Sequence, residues 1–163
     1  MVSSADELRG VLADHGIDTV LIGAHAANRY RLEARLTVDV DLLAPTLVGA
    51  AQALRDAGCT VREVAEDGQT YLVSARSGAT VIDVLLAETE YQRLAISRAI
   101  GGVLTVEDVI VHKLIAGRSR DLDDIRSILA TGISFDRHYV EFHAQAWAVV
   151  DRWNELDGPN PGG

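Results

Sequence analysis

Apolar positions along the chain recur with two periods, and the switches between them divide it into segments. Ser4 to Asp14 places Leu8, Val11 and Leu12 at helical spacing, and Ser4 followed by Glu7 is the pattern of a capping box, so a helix is expected that His15-Gly16 ends. Thr19 to Ile22 is a short buried strand broken at Gly23, Ala24 to Tyr30 is helical, and Leu36 to Ala44 is a strand ended by Pro45. Thr46 is placed to N-cap a second amphipathic helix reaching Gly58. Val61–Ala65, Thr70–Ala75 and Thr80–Leu86 are strand-like runs separated by Asp67-Gly68 and Ser77-Gly78, which predicts an antiparallel meander. Helices follow over Glu90–Ala99, over Thr105–Ile115 with Thr105 as cap, and over about Leu122–Ala130. Asp136 opens a last helix with Val140, Trp147, Val150 and Trp153 as its apolar positions. The order α, β, α, β, α, three β, then helices predicts an α+β fold: a mixed sheet flanked by helices, with a short helical C-terminal region.

A length of 163 residues suits one domain, expected over 1–157, with a sheet-containing core over about 1–100, a helical part over 103–157 and a frayed tail over 158–163. A hydrophobic share of 48% with dispersed charge describes a folded chain. No apolar run approaches the roughly 20 residues of a membrane span. The polar N-terminus does not have the pattern of a signal peptide, and the single Cys59 allows no internal disulfide, so the cytoplasm is the expected compartment. Net charge of −9 argues against a general basic grip on nucleic acid. Of 15 basic residues only Lys113 is lysine. Either the genome favours arginine codons, or this position needs a compact point charge such as one held on phosphate.

The candidate chemistry centres on Leu21 to Leu43. Strand side chains alternate faces, so Thr37, Asp39 and Asp41 are expected on one face with Val38, Val40 and Leu42 towards the core. Two carboxylates about 6–7 Å apart at the backbone can both reach one cation, and Mg²⁺ favours carboxylates completed by water and phosphate oxygens. A solvated polar strand face is the competing explanation. Asp83, alone within the apolar strand Thr80–Leu86, needs a partner if buried; beside the first strand it would complete a three-acid site or act as general base. The Gly23-Ala24 break turns a strand into a helix, where backbone N–H groups suit phosphate.

Gly23-Ala24, the run Arg35-Leu36-Thr37-Val38-Asp39-Val40-Asp41 and the later Asp83 together resemble the polymerase-beta type nucleotidyltransferase superfamily. The segment Val111 to Ile125, with Lys113, Arg118, Arg120, Asp121 and Asp124 in order, is similar to the abortive-infection (AbiEii/AbiGii-like) branch, the toxins of bacterial toxin–antitoxin pairs. The resemblance covers about Leu21 to Ile128. It implies a nucleotidyltransferase-like sheet and an Mg²⁺-dependent enzyme, with Mn²⁺ as an alternative ion. That enzyme would move NMP from an NTP such as ATP to a hydroxyl of RNA, tRNA or protein. In it Asp39, Asp41 and Asp83 hold metal, Gly23 and Ala24 approach the triphosphate, and Lys113 contacts nucleotide phosphates with Asp121 orienting it. Arg35, Arg118 and Arg120 add positive charge around the leaving pyrophosphate, and Thr37 lies in the nucleotide-binding set. Ala24 departs from the Ser or Gly of the family's turn, which removes a side-chain hydroxyl, and many toxins of this branch continue into a larger helical domain. A cognate antitoxin is the implied partner. The alternatives are a minimal antitoxin that adds AMP to a partner toxin and a non-catalytic nucleotide-binding module.

The remaining polar residues have ordinary explanations. A Lys113–Asp121 salt bridge between neighbouring helices competes with the phosphate role. Asp123 and Asp124 suit a helix first turn. His25 is expected to be a satisfied structural histidine and His112 a helix-surface residue. His138 and His143, five apart, make a zinc site unfavourable. Cys59 is expected to pack, and Trp147 and Trp153 to lie in a core or dimer surface.

Overall fold

The structure, a computed structural model, describes residues 4–158; the expected tail beyond 158 lies outside them. The elements run α1 (Ala5–Asp14), β1 (Val20–Leu21), α2 (Gly23–Asn28), β2 (Asp39–Ala44), α3 (Ala50–Asp56), β3 (Thr60–Glu66), β4 (Gln69–Ser77), β5 (Thr80–Leu86), α4 (Glu90–Arg98), α5 (Val106–Ala116), α6 (Ser119–Ala130), α7 (Arg137–Ala146) and α8 (Val150–Asp157). The five strands form one sheet in the order β1-β2-β5-β4-β3, with β2 and β5 parallel and the other pairs antiparallel. The expected mixed α+β architecture is the one found.

The chain separates into two compact units. One comprises Met1–His25 and Leu36–Leu104, the other Ala26–Arg35 and Thr105–Gly163, so the boundary falls inside α2.

The first unit is the sheet with its helices. α1 starts at Ser4, whose side chain accepts from Glu7 N while Glu7 reaches back to Ser4 N, the reciprocal cap the sequence announces. The meander is set by its turns. Asp67 and Gly68 take φ of 48° and 81°, both left-handed, the two-residue turn whose twist matches a hairpin. One face of the sheet is buried across β2, β5 and β4: Val40, Leu42, Ile82, Val84, Val73 and Ala75 face inward with Leu8, Leu12 and Leu54 from α1 and α3. The opposite face carries Asp39, Asp41, Asp83, Ser74, Arg76 and Arg62, all half-buried or exposed.

Three local expectations are corrected here. β2 begins at Asp39, not Leu36, and Val38 is 64% exposed rather than inward-facing; Leu36 is 93% exposed. The backbone of Arg35 is committed to Asn28 instead: Asn28 Nδ2 donates to Arg35 O at 2.8 Å and Arg35 N donates to Asn28 Oδ1 at 3.0 Å. Thr37 therefore precedes the strand. Thr46 does not cap α3; its hydroxyl accepts from Val48 N two residues on, and Gly49 is the cap at φ 83°.

The second unit is helical. α5 packs on α6 and α7, and α8 on α6 and α7, around Ile110, Leu114, Ile125, Ile128, Val140 and Trp153. Asp108 is buried but satisfied: Thr105 Oγ1 donates to it at 3.0 Å and Tyr139 Oη at 2.7 Å. The single last helix expected after Asp136 is two helices, because Ala148 takes a left-handed φ of 56° after α7. That break leaves Trp147 38% exposed, while Trp153 is buried and stacks edge-on to Phe135. Among the described residues no helix is long and apolar enough to cross a membrane.

Candidate active site

In the first unit the acids converge through strand register. Parallel pairing of β2 with β5 sets Asp41 directly opposite Asp83 and Asp39 opposite Val81, so all three acids share the polar sheet face. Adjacent strands lie about 4.8 Å apart, close enough for two carboxylates to share a ligand. Asp39 is exposed, and Asp41 and Asp83 are half-buried. Asp83 Oδ1 is buried with no hydrogen-bond partner. A carboxylate oxygen withdrawn from water without a donor costs about 1–3 kcal/mol, a cost natural structures retain mainly where something else is to bind.

Gly23 explains why the turn is tight. It has φ 65°, and a Cβ built there would collide with Asp41 Oδ2 and lie 3.1 Å from Asp41 Cβ. Ile22 N donates to Asp41 O at 3.0 Å, which fixes the turn against β2 at the acid itself. Glycine is thus required for both conformation and space, and its place is beside a carboxylate. α2, which begins here, has only six residues. In its first turn His25 Nε2 is buried without a partner, so the expectation of a satisfied histidine is not met.

Do these residues suit a metal ion? Among the described residues no group of three or more His, Cys, Asp or Glu side chains is placed to hold a metal ion, so Asp39, Asp41 and Asp83 do not form a three-acid cage. An open site does fit: Mg²⁺ binds through one or two carboxylates and takes its other oxygens from water and phosphate. The register of Asp41 with Asp83 and the unsatisfied Asp83 oxygen provide that kind of half-site.

The second unit gathers the other candidates into an ion network. Lys113 is buried on α5; its Nζ donates to Asp121 Oδ1 at 3.0 Å and lies 2.8 Å from Asp124 Oδ2. Asp121 and Asp124 are fully buried. Arg118 Nε donates to Asp121 Oδ2 at 2.6 Å, and Arg35 grips Asp124 with two bonds of 3.0 and 3.2 Å. Arg31 also pairs with Asp124. Burial acts to raise the pKa of Asp121, but hydrogen bonds from Arg118 and Lys113 outweigh it, and the pKa lies below the usual carboxylate value. Asp124 behaves alike: burial opposes, the bonds from Arg35 and Lys113 prevail, and the pKa is lowered. The bond to Asp124 raises the Arg35 pKa further.

The salt bridge Lys113–Asp121 is therefore present. The side chains of Arg118 and Arg35 remain 58% and 30% exposed, whereas that of Lys113 is 6% exposed. Arg120 is exposed. Asp124 and Arg31 were not foreseen in this role. α6 starts at Ser119 rather than Leu122, so Asp124 lies in its second turn, three residues after Asp121 and on the same face. That spacing was the available signal. Asp123 points outward and pairs with Arg126 at 2.7 Å. His112, expected on the surface, is half-buried with its Nε2 withdrawn from solvent; burial first, then the Lys113 charge, lowers its pKa to about 4 against the pull of Asp108.

No family model matches the chain, and no curated protein sequence matches it. Solved structures do match along most of its length. The solution structure of the antibiotic-resistance factor ANT(2'')-Ia matches with a TM-score of 0.58 at 17% identity, covering 92% of this chain and 91% of that one. The crystal structure of ANT(2'')-Ia in complex with adenylyl-2''-tobramycin gives 0.60 at 15%, covering 90% and 94%. JHP933 from Helicobacter pylori gives 0.51 at 16%, covering 91% and 68%. The chain thus has a nucleotidyltransferase-like fold, and at these identities the likeness concerns the fold.

Proposed function

We propose that this protein is a nucleotidyltransferase that moves an NMP from an NTP to a hydroxyl, and that it serves as the toxin of a bacterial toxin–antitoxin pair. The observation that carries the reading is the Asp41–Asp83 register with Gly23 against the Asp41 carboxylate, on a nucleotidyltransferase-like fold. The toxin role draws on the Arg35-to-Asp41 spacing and the Lys113-to-Asp124 segment.

In the reaction, the acceptor oxygen bonds to the α-phosphorus, the bond to the β-phosphate oxygen breaks, and pyrophosphate leaves. Asp39 and Asp41, with Asp83, would hold Mg²⁺. That ion supplies positive charge that offsets the phosphates. Asp83 Oδ1, with no donor of its own, is suited to take the proton of the acceptor hydroxyl. Gly23 keeps the turn from displacing Asp41. Phosphoryl chemistry is mostly positioning and charge neutralisation, so acids held by strand register meet its main demand. In the second unit, Asp121 and Asp124 hold Arg118 and the half-buried Arg35 in place, and Lys113 is enclosed between the two acids.

Incubation with Mg²⁺, each labelled NTP, total RNA and lysate tests the reaction. Label should transfer with the wild type and fall at least about a hundredfold in Asp41→Ala. Equal transfer by both proteins would sink the reading. Expression of the chain alone should arrest bacterial growth, and Asp41→Ala should relieve the arrest.

A further inference from the structure

β1 is an edge strand of the sheet and consists of Val20 and Leu21, paired with Leu43 and Leu42 of β2. Strands usually run about 3–10 residues, so this pairing is a weak hold for the strand that delivers the Gly23 turn to Asp41. On its other side the segment 100–104 supplies a second hold. Leu21 N donates to Gly102 O at 2.8 Å, Leu104 N donates to Leu21 O at 3.2 Å, and Val103 bridges Leu21 in parallel. Gly101 and Gly102 take left-handed φ of 60° and 74°, in a tight turn that Ile100 and Val103 close with backbone bonds of 3.0 and 3.2 Å.

Arg9, half-buried on α1, joins these pieces. Its Nη2 donates to Gly102 O at 3.0 Å and to Thr19 O at 3.3 Å, and its Nε donates to Thr19 Oγ1 at 3.4 Å. One planar guanidinium thus holds both the residue that precedes β1 and the carbonyl that receives Leu21 N. Leu8 and Leu12, fully buried, fix the helix that carries it. A Cβ on Gly102 would stand 2.6 Å from Arg9 Nη2, so glycine is needed there for the arginine's approach as well as for its own φ. Further along, Ile22 N donates to Asp41 O at 3.0 Å, and Gly23 lies against the Asp41 carboxylate.

We propose that Arg9 is a positioning residue for nucleotide use: it sets β1, and through β1 the Gly23 turn, where the triphosphate meets Asp41. The proposal rests on the transfer reaction proposed above. Only Ile22 separates Leu21 from Gly23, and successive Cα atoms lie about 3.8 Å apart, so a shift of Leu21 is passed on to the turn. A misplacement of about 1 Å can cost about a hundredfold in rate even when its cause lies away from the chemistry. Arginine suits the task better than lysine. Its rigid fork meets two carbonyls and a hydroxyl at once, whereas an ammonium is a point donor on a flexible stem.

The test is steady-state transfer by the full chain, with the labelled NTP and the total RNA plus lysate varied in turn. Arg9→Gln should raise the KM for the NTP at least about tenfold and leave the half-saturating amount of RNA plus lysate within about twofold. Arg9→Lys should lie between Arg9→Gln and the wild type, since it keeps the charge and one donor. A merely structural role would reduce the amount of active enzyme, and so the apparent kcat, with the KM for the NTP unchanged. Hydrogen exchange without NTP reads the linkage itself. The amides of Leu21 and Ile22 should exchange at least about tenfold faster in Arg9→Gln, while those of β4 exchange as in the wild type. If Arg9→Gln does not fold, Arg9→Lys carries both measurements. An unchanged KM for the NTP, an equal rise in both saturation values, or unchanged exchange at Ile22 would each overturn the proposal. The two readings fail separately. Faster exchange at Ile22 with no transfer by the wild type sinks the reaction and leaves the anchoring of the turn standing; transfer with an unchanged KM for the NTP sinks the role of Arg9 alone.

Discussion

Asp83 and Asp124 both have carboxylate oxygen withdrawn from water, and the protein treats them in opposite ways. Asp124 is fully buried and meets Lys113, Arg31 and a two-bond grip from Arg35. Asp83 keeps one oxygen buried with no donor at all. The first arrangement is closed: each buried carboxylate meets at least two cationic side chains, within the helical unit. The second is open, and its cost is tolerable only if something outside the chain completes it. Buried charge is thus no signal by itself; a buried carboxylate oxygen without a donor is what sets Asp83 apart from Asp124.

The comparison breaks most visibly at Lys113. Lys113→Met leaves Asp121 and Asp124 without their shared cation, and urea unfolding should show a loss of about 3–5 kcal/mol. A loss under about 1 kcal/mol would mean that the arginines alone satisfy both acids. The mirror experiment is Asp83→Asn. Transfer should fall about a hundredfold or more, while stability stays level or rises, because removing the charge relieves an uncompensated burial. A stability loss like that of Lys113→Met would erase the contrast between the two acids.

Acid sharpens it further. His112 has a folded pKa of about 4, below its ordinary 6.5. The stability it contributes is complete above 6.5 and is lost as pH falls from 6.5 towards 4, because the unfolded chain takes up the proton first; the loss should reach about 3 kcal/mol. Asp121 and Asp124 also have depressed values, so their contribution is present above 3.8 and lost below it. Melting followed from neutral pH to pH 4 should therefore decline steadily, and His112→Leu should flatten that decline. An unchanged profile in the variant would assign the loss to other groups.

Gly23→Ala is a smaller perturbation. A left-handed φ and a collision with Asp41 should lower stability by about 1–3 kcal/mol and transfer by about tenfold. The smallest effect belongs to Asp123→Asn, whose exposed pair with Arg126 should count for less than about 0.5 kcal/mol in a melting experiment.

What could be read from the chain was whatever depends on neighbours in sequence. The Ser4–Glu7 cap, the Thr105 cap, the Asp67-Gly68 hairpin and the helix–strand order all follow from contacts within a few residues, and alternation alone placed Asp39 and Asp41 together. Thr46 looked equally good as a cap, but the turn at Gly49 took its place. The last helix looked continuous until Ala148.

Only the tertiary structure decided the rest. That Asp41 stands opposite Asp83 depends on a parallel pairing between strands some forty residues apart, which no local pattern encodes. Asp124 draws Arg31 and Arg35 from about 90 residues away, and the reason Lys113 is enclosed is visible only with both aspartates around it. Residue types announce which charges a chain carries. Which of them are cancelled, and which are left open for a ligand, is settled by packing, because desolvation and ion pairing act on distance in space rather than along the sequence.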